Sequence, residues 1–222
     1  MKLSFCFLLL SLLNACSYID SQRIAPNYAQ AFKGIKVFTL GSEDNLITKQ
    51  LVDDTPYASI KVKVGKGPSG LLILEEISNT DLVYISADEV RFVIRDGVII
   101  RTSGFDNNLI RRLEPEDSLL SFLESGKKEQ KYFIFHSYDL PQVTDLRLEV
   151  TLKKMQIEQV EILGESYNLL KVEQILENDY LGWKKKNIFW ISPQDNFIWK
   201  SLQHISPLLP EISLEVTKKF IK

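Results

Sequence analysis

Residues 90–102 read VRFVIRDGVIIRT, and this stretch decides the fold class. Two runs rich in β-branched residues, 90–95 and 98–102, are separated only by Asp96 and Gly97. An Asp-Gly pair between such runs predicts a two-residue β-hairpin, because a type I′ turn needs positive φ at both central positions. The sequence therefore predicts a pair of antiparallel strands here.

The segments on either side continue the β pattern. Residues 60–64 read IKVKV and residues 146–153 read LRLEVTLK, so apolar and polar side chains alternate in both. Alternation with a period of two predicts strands with one buried face and one wet face. Further β segments are predicted at 35–40, 71–77, 82–86, 131–138, 157–163, 167–176, 187–191, 197–200 and 212–221. This spacing favours an antiparallel meander over βαβ units.

Helices are predicted to be few and short. Residues 114–126 begin with Glu-Pro-Glu-Asp and end at a glycine, which fits one short helix. Residues 41–54 are polar and fit either a loop or a second short helix. The predicted fold class is mainly β: an antiparallel meander that curls into a sandwich or half-barrel, with one or two short helices. The more polar segments 157–163 and 167–176 are predicted to lie near a sheet edge.

The first sixteen residues read MKLSFCFLLLSLLNAC. A positive start precedes an apolar run over residues 3–13, which is the architecture of a secretory signal peptide. This run is about half of the roughly 20 residues that a membrane-spanning helix needs. Secretion is therefore favoured over a spanning helix.

The motif Leu13-Asn14-Ala15-Cys16 resembles a bacterial lipobox. The resemblance implies cleavage before Cys16, an S-diacylglycerol group on its thiol and an N-palmitoyl group on the new amino terminus. By the same resemblance, Ser17 as the next residue implies delivery to the outer membrane. The alternative is an ordinary signal peptide with a coincidental cysteine.

Three regions are predicted: a lipoprotein signal peptide over 1–15, a lipidated tether over 16–33, and a single β domain over 34–222. The chain has two cysteines, and cleavage would remove Cys6, so no disulfide is expected within the mature chain. The net charge of −2 does not favour nucleic acid as a partner. An ordinary hydrophobic core must then hold the fold together.

Residues that carry enzyme chemistry are few. The two histidines, His136 and His204, are interpreted as packed or surface residues, and no cysteine and histidine cluster has the spacing of a metal site. Adjacent acids at 53–54, 88–89 and 116–117 fit turns and helix starts, whereas a glycosidase needs two carboxylates that converge on a sugar. We expect no catalytic residues, no metal and no cofactor.

Trp183, Trp190 and Trp199 are the candidate glycan or partner contacts, because indole rings stack on the apolar faces of sugars. Trp183 follows a turn-like Leu-Gly pair and precedes three lysines, so its side chain is predicted to be exposed. A structural alternative exists for the other two. Trp190 and either Phe197 or Trp199 would lie across from each other on neighbouring strands and stabilise the sheet.

Several segments together carry a family resemblance. They are residues 55–59, Gly67-Pro68 with 71–74, residues 86–88 and 98–104, then 187–190, Pro193, 199–201, Gln203, Ser206-Pro207 and Pro210. In this order they resemble the YjbF/GfcB family of group 4 capsule polysaccharide lipoproteins. One departure is Asp195-Asn196, where family members often carry a residue followed by glycine.

The resemblance implies a lipoprotein of the Gram-negative cell envelope, anchored in the outer membrane through its lipid and facing the periplasm. Its expected role is that of a non-enzymatic accessory factor in capsule or exopolysaccharide production or export. The expected partners are the polysaccharide or its secretion machinery. The alternative is a lipid- or lipoprotein-handling half-barrel module at the outer membrane. A deep apolar cavity would favour this alternative, and a filled interior would count against it.

Overall fold

The structure, a computed structural model, describes residues 21–23, 47–115 and 118–221. The predicted signal peptide, the predicted strand at 35–40 and the acidic pair at 116–117 lie outside the described residues, as does most of the tether. Two α-helices are described, α1 (Lys49–Asp54) and α2 (Ser118–Glu124).

The rest of the fold is β-sheet. The strands are β1 (Ser21–Arg23), β2 (Ser59–Val64), β3 (Ser69–Ser78), β4 (Asp81–Ile85), β5 (Arg91–Arg95), β6 (Val98–Ser103), β7 (Leu109–Leu113), β8 (Glu129–Tyr138), β9 (Val143–Ile162), β10 (Glu165–Asn178), β11 (Trp183–Ile191), β12 (Ile198–Gln203) and β13 (Ile212–Lys218).

Strands β2 to β13 form one antiparallel sheet in the order β6-β5-β4-β3-β2-β13-β12-β11-β10-β9-β8-β7, and β1 pairs with β3. Nearly all neighbours are consecutive along the chain, and β13 closes the meander against β2. The two strands at the ends of this order, β6 and β7, are also consecutive, and the backbone N–H of Leu109 donates to Thr102 Oγ1 across the gap between them (3.1 Å). The sheet is therefore a nearly closed, barrel-like meander, which confirms the predicted fold class.

The hairpin predicted over 90–102 is present as β5 and β6. Asp96 and Gly97 have φ values of 48° and 75°, as a type I′ turn requires. A Cβ atom on Gly97 would lie 2.5 Å from Cβ of Ile198 on β12. The tip of the hairpin therefore packs directly against a strand that is distant in sequence.

The interior of the barrel-like sheet is filled by two apolar clusters. The buried residues of the first come mainly from β2 to β8 and β13, and those of the second come from β6, from β8 to β12 and from α2, which covers it. Each cluster contains fully buried aromatic rings, including Phe92 in the first and both Phe122 and Phe189 in the second. The predicted alternation of residues 146–153 is confirmed, because Leu148, Val150 and Leu152 have no exposed surface.

Strands β9 and β10 are the longest pair in the sheet. Strand β8 pairs with β9 only up to Lys153, and β11 pairs with β10 only from Leu170 onward. Beyond these residues β9 and β10 continue as a two-stranded extension, which explains the polar character of this part of the sequence. The prediction of a sheet edge therefore holds for the extension but not for the rest of β10.

Helix α1 lies at the tip of this extension. The sequence allowed either a loop or a short helix over residues 41–54, and the structure has α1 within this segment. Thr48 caps the helix by accepting a hydrogen bond from the backbone N–H of Leu51 (3.2 Å). Lys49 of the helix lies 3.3 Å from a carboxylate oxygen of Glu165. Val52 packs with Leu71 on the outer face of the sheet.

The helix predicted within residues 114–126 is shorter than that segment. The segment 114–126 contains α2 from Ser118 to Glu124, and Phe122 places its ring in the core beneath. Among the described residues, no helix is long and apolar enough to cross a membrane.

Candidate functional site

Among the described residues, one end of the barrel-like sheet is open, and we call it the mouth. It carries the β3–β4, β5–β6 and β11–β12 turns and the end of β13. A cleft of about 470 Å³ opens there, within the size range of ligand sites of ~300 to 1,000 Å³. This mouth cleft is lined by Ile60, Ile77, Asn79, Thr80, Leu82, Tyr84, Ile94, Asp96, Gly97, Leu120, Asp195, Asn196, Phe197, Ile198, Leu214, Val216, Lys219 and Phe220.

The walls of the mouth cleft are mostly apolar because residues of six strands, β2 to β5, β12 and β13, line it. Ile60, Ile94 and Val216 come from β2, β5 and β13, and each is buried. Tyr84 adds a phenol with 3% of its surface exposed, and burial raises the pKa of that phenol above its usual value. The phenol therefore stays neutral, and the walls that the strands contribute are largely apolar.

The charged residues among those that line the cleft, Asp96, Asp195 and Lys219, belong to two turns at the mouth and to the end of β13, and we call this charged margin the rim. Lys219 Nζ donates to Asp195 Oδ2 (2.8 Å) and lies 4.0 Å from the ring centroid of Phe197. The backbone N–H of Phe197 donates to Asp195 Oδ1 (3.2 Å). The hydrogen bond from Lys219, followed by one from Ser192, lowers the pKa of Asp195 to about 2. The rim therefore carries an ion pair over an aromatic ring.

We predict that Asp195 titrates near pH 2, because its lysine partner favours the ionised form. An NMR titration of the side-chain carboxyl carbon measures this midpoint. In Lys219→Met the pKa should rise toward the ordinary aspartate value of about 3.9. The stability that the pair contributes is present above pH ~3.9 and is lost as the pH falls toward 2. An unchanged midpoint in Lys219→Met would contradict the pairing.

Trp199 lies at the centre of an aromatic cluster that begins at this rim. Its ring meets Phe197 edge to face, with centroids 5.0 Å apart, and stacks on Tyr167 of β10 at 4.9 Å. A register shift between β11 and β12 leaves Trp199 without a cross-strand partner. Trp199 is half-buried and stays a candidate contact.

Trp190 is half-buried on the outer face of the sheet. Its cross-strand partners are Lys200 on one side and Lys171 on the other. The proposed pairing of Trp190 with Phe197 or Trp199 is therefore wrong, because the register shift moves both rings out of line. The Trp190 Nε1–H donates to Glu158 Oε2 (3.1 Å), which together with Lys171 lowers the pKa of Glu158. Trp190 also stays a candidate contact, in charged surroundings.

The predicted exposure of Trp183 is wrong. It is the first residue of β11, only 7% of its surface is exposed, and it packs into the cluster beneath α2. Its indole N–H is buried with no hydrogen-bond partner among the described residues. The preceding turn instead exposes Tyr180, with 94% of its surface accessible. The turn signal was correct, but it ends one residue before the tryptophan.

The lipobox residues Leu13, Asn14, Ala15 and Cys16 lie outside the described residues. Lipidation of Cys16 therefore stays a prediction.

The histidines are held by the fold. His136 is fully buried, and its Nδ1 lies 3.0 Å from the hydroxyl of Tyr138, which donates to the carbonyl of Ile205 (2.9 Å). Burial and the neighbouring Arg112 lower the pKa of His136 well below its usual value. His204 is partly buried, and burial also lowers its pKa. Neither imidazole lines the mouth cleft.

The acidic pairs 53–54 and 88–89 are exposed, on α1 and on the turn after β4, and neither lines the mouth cleft. Within residues 47–115 and 118–221, no group of three or more potential ligands is arranged to hold a metal ion. The charged rim around Asp195 and Lys219 was not anticipated from the sequence, since 24 residues separate the two partners.

The fold and the cleft define an antiparallel β protein with a barrel-like sheet and one open, apolar-lined end. The chain belongs to the YjbF family, described as the group 4 capsule polysaccharide lipoprotein gfcB, YjbF, since the profile of that family matches residues 28–216. This confirms the resemblance found in the sequence. No curated protein matches the chain significantly.

A solved structure supports the fold. The crystal structure of the hypothetical lipoprotein YmcC from Escherichia coli (K12) superposes with a TM-score of 0.74 at 15% sequence identity. The alignment covers 90% of this chain and 98% of that one. At this identity the likeness concerns the fold.

The departure at Asp195-Asn196 has a structural explanation. Asn196 has a φ of 55°, in the left-handed region. Glycine adopts this conformation without strain, and asparagine is among the residues that tolerate it best. Asn196 therefore takes the conformation that glycine favours, and the turn keeps its shape.

Proposed function

We propose that this chain is an outer-membrane lipoprotein that acts as a non-enzymatic accessory factor in capsule or exopolysaccharide production or export. It is anchored through lipid on Cys16 and faces the periplasm. The observation that carries the proposal is membership of the capsule polysaccharide lipoprotein family over residues 28–216. The lipobox before the matched region supports the anchor.

The arrangement of polar groups supports a role in binding rather than catalysis. The rim carboxylate of Asp195 is paired with Lys219, and His136 is sealed in the interior. In this proposal Trp190 and Trp199 contact the glycan. Both side chains are half-buried, and both lie next to lysine and acidic side chains. Sugar hydroxyls would pair with those charges while the indole rings cover the apolar sugar face.

A second candidate is a lipid-handling module at the outer membrane. The apolar walls of the mouth cleft favour it. The filled interior counts against the deep cavity that we expected of such a module, since both clusters occupy the space between the strands. The cleft therefore accommodates part of a lipid rather than a whole one.

The test is polysaccharide export in a strain that lacks this gene. We expect export to fail on deletion, to return with the wild-type chain, and not to return with Cys16→Ala. Cys16→Ala should also remain unprocessed and leave the outer-membrane fraction, because the thiol that receives the diacylglycerol is missing. Export that is unchanged on deletion would reject the accessory role.

A matched control separates lipidation from a general effect of losing a cysteine. Cys6→Ala lies within the same signal peptide and should be processed, anchored and active at the wild-type level. Cys16→Ala that is still processed and anchored would reject the lipidation site. Immunoblots of membrane fractions measure both variants.

A further inference from the structure

The first strand shows from which end of the barrel the chain enters. Strand β1 pairs with β3 so that Ser21 lies opposite Ser78 and Arg23 lies opposite Glu76. Ser78 is the last residue of β3, and the next two residues line the mouth cleft. The chain therefore arrives at β1 from the side of the mouth.

The distance to the predicted anchor is short. Cys16 precedes Ser21 by five residues, and an extended chain spans at most ~3.3 to 3.6 Å per residue, so the two Cα atoms are at most about 18 Å apart. Ser69, at the opposite end of β3, lies nine residues away from Ser78, or about 30 Å. A lipid on Cys16 therefore holds the mouth nearer to the membrane than the far end of the sheet.

The chemistry of the mouth cleft matches what a membrane supplies. Leu82, Tyr84 and Phe220 belong to its largely hydrocarbon lining, and the rim adds the ion pair of Asp195 and Lys219. A hydrocarbon chain gains by leaving water for such a surface, whereas its polar headgroup stays at the rim. A sugar ring against the apolar strand walls would leave its hydroxyls unpaired there, since the polar lining residues Asn79, Thr80 and Asn196 belong to the turns at the mouth.

We propose that the mouth faces the membrane that holds the Cys16 lipid and that the mouth cleft takes an acyl chain of a phospholipid from that membrane. The orientation rests on the lipidation in the proposed function. The acyl-chain site rests on the cleft itself.

Photocrosslinking tests the proposal. The lipidated protein is reconstituted in vesicles of phosphatidylethanolamine and phosphatidylglycerol that include a phospholipid with a diazirine on one acyl chain. After irradiation, mass spectrometry locates the label. We expect it on residues of the mouth cleft, with Leu82 and Phe220 prominent, since both are only partly buried there.

Two variants place a carboxylate in the cleft, Leu82→Glu and Phe220→Glu. Each should reduce the labelling of the cleft about tenfold or more, because a charge in the apolar cleft is costly. Tyr180→Glu is the matched control at the far end of the sheet and should leave the labelling unchanged. Near-ultraviolet circular dichroism checks that each variant is folded, and Phe220, beyond β13, is the safer position.

Three results would overturn the proposal. They are label on the far-end residues Tyr180, Leu181 and Leu208, no label in the cleft, or equal labelling of the cleft in both glutamate variants and the wild type. A free fatty acid with the same diazirine, added to the Cys16→Ala chain, separates the two proposals. If the cleft of Cys16→Ala is labelled, and mass spectrometry finds no lipid on Cys16 of the wild type, the acyl-chain site is supported and the anchored orientation is rejected.

Discussion

Trp183→Ala should lower the free energy of unfolding by about 3 to 5 kcal/mol, the range for truncation of a large buried side chain. Trp183 has 7% of its surface exposed and packs in the cluster that α2 covers. Alanine would leave a cavity at the start of β11, where the strand backbone is held by its ladder to β10 and cannot collapse inward. Urea denaturation followed by circular dichroism measures the change.

Two further variants make the Trp183 measurement specific. Tyr180→Ala, in the adjacent turn, should change stability by no more than about 0.5 kcal/mol, because 94% of the tyrosine is exposed. Trp183→Phe should cost less than Trp183→Ala, since it keeps much of the volume and removes a buried N–H that has no partner among the described residues. If Trp183→Ala were as stable as the wild type, the burial of this residue would be wrong.

Gly97→Ala should lower the free energy of unfolding by about 2 to 4 kcal/mol, through two effects that act together. Gly97 has a φ of 75°, where an L-residue is strained by roughly 1 to 2 kcal/mol. The new Cβ would also lie 2.5 Å from Cβ of Ile198, and overpacking of this kind typically costs about 1 to 3 kcal/mol. The same denaturation experiment measures the total.

Two other glycines separate these effects. Gly164 has a φ of 81° with nothing within 4 Å of an added Cβ, so Gly164→Ala reports the backbone strain alone. Gly126 has neither a left-handed φ nor a close neighbour, so Gly126→Ala should be neutral or slightly stabilising. If Gly97→Ala cost no more than Gly164→Ala, the contact between the hairpin tip and β12 would be rejected.

Local signals in the sequence were reliable where one stretch of chain carried them. The Asp96-Gly97 pair predicted its hairpin, because the φ requirement of the turn is a property of the residues themselves. The alternation around Val150 predicted which face is buried, because successive side chains of a strand point in opposite directions. The resemblance to the capsule lipoprotein family rested on the order of short segments and is confirmed by the match over residues 28–216.

Predictions that depended on a boundary or on register were less reliable. Trp183 follows the turn as predicted, but it is already the first residue of β11, and its side chain lies on the buried face of that strand. The proposed aromatic pair at Trp190 failed because the register between β11 and β12 shifts next to it. Neither boundary nor register shift has a strong signal in a single sequence.

The sequence by itself determined that the chain is mainly antiparallel β, that a hairpin forms at Asp96-Gly97, and which face of a strand such as 146–153 is apolar, because these follow from the local preferences of neighbouring residues. Only the tertiary structure decided that β13 meets β2, that the meander nearly closes, and that one end remains open. Those features depend on sheet twist and on contacts between distant residues, such as Gly97 with Ile198 and Asp195 with Lys219. The mouth cleft exists only where these distant segments meet, so no single stretch of sequence encodes it.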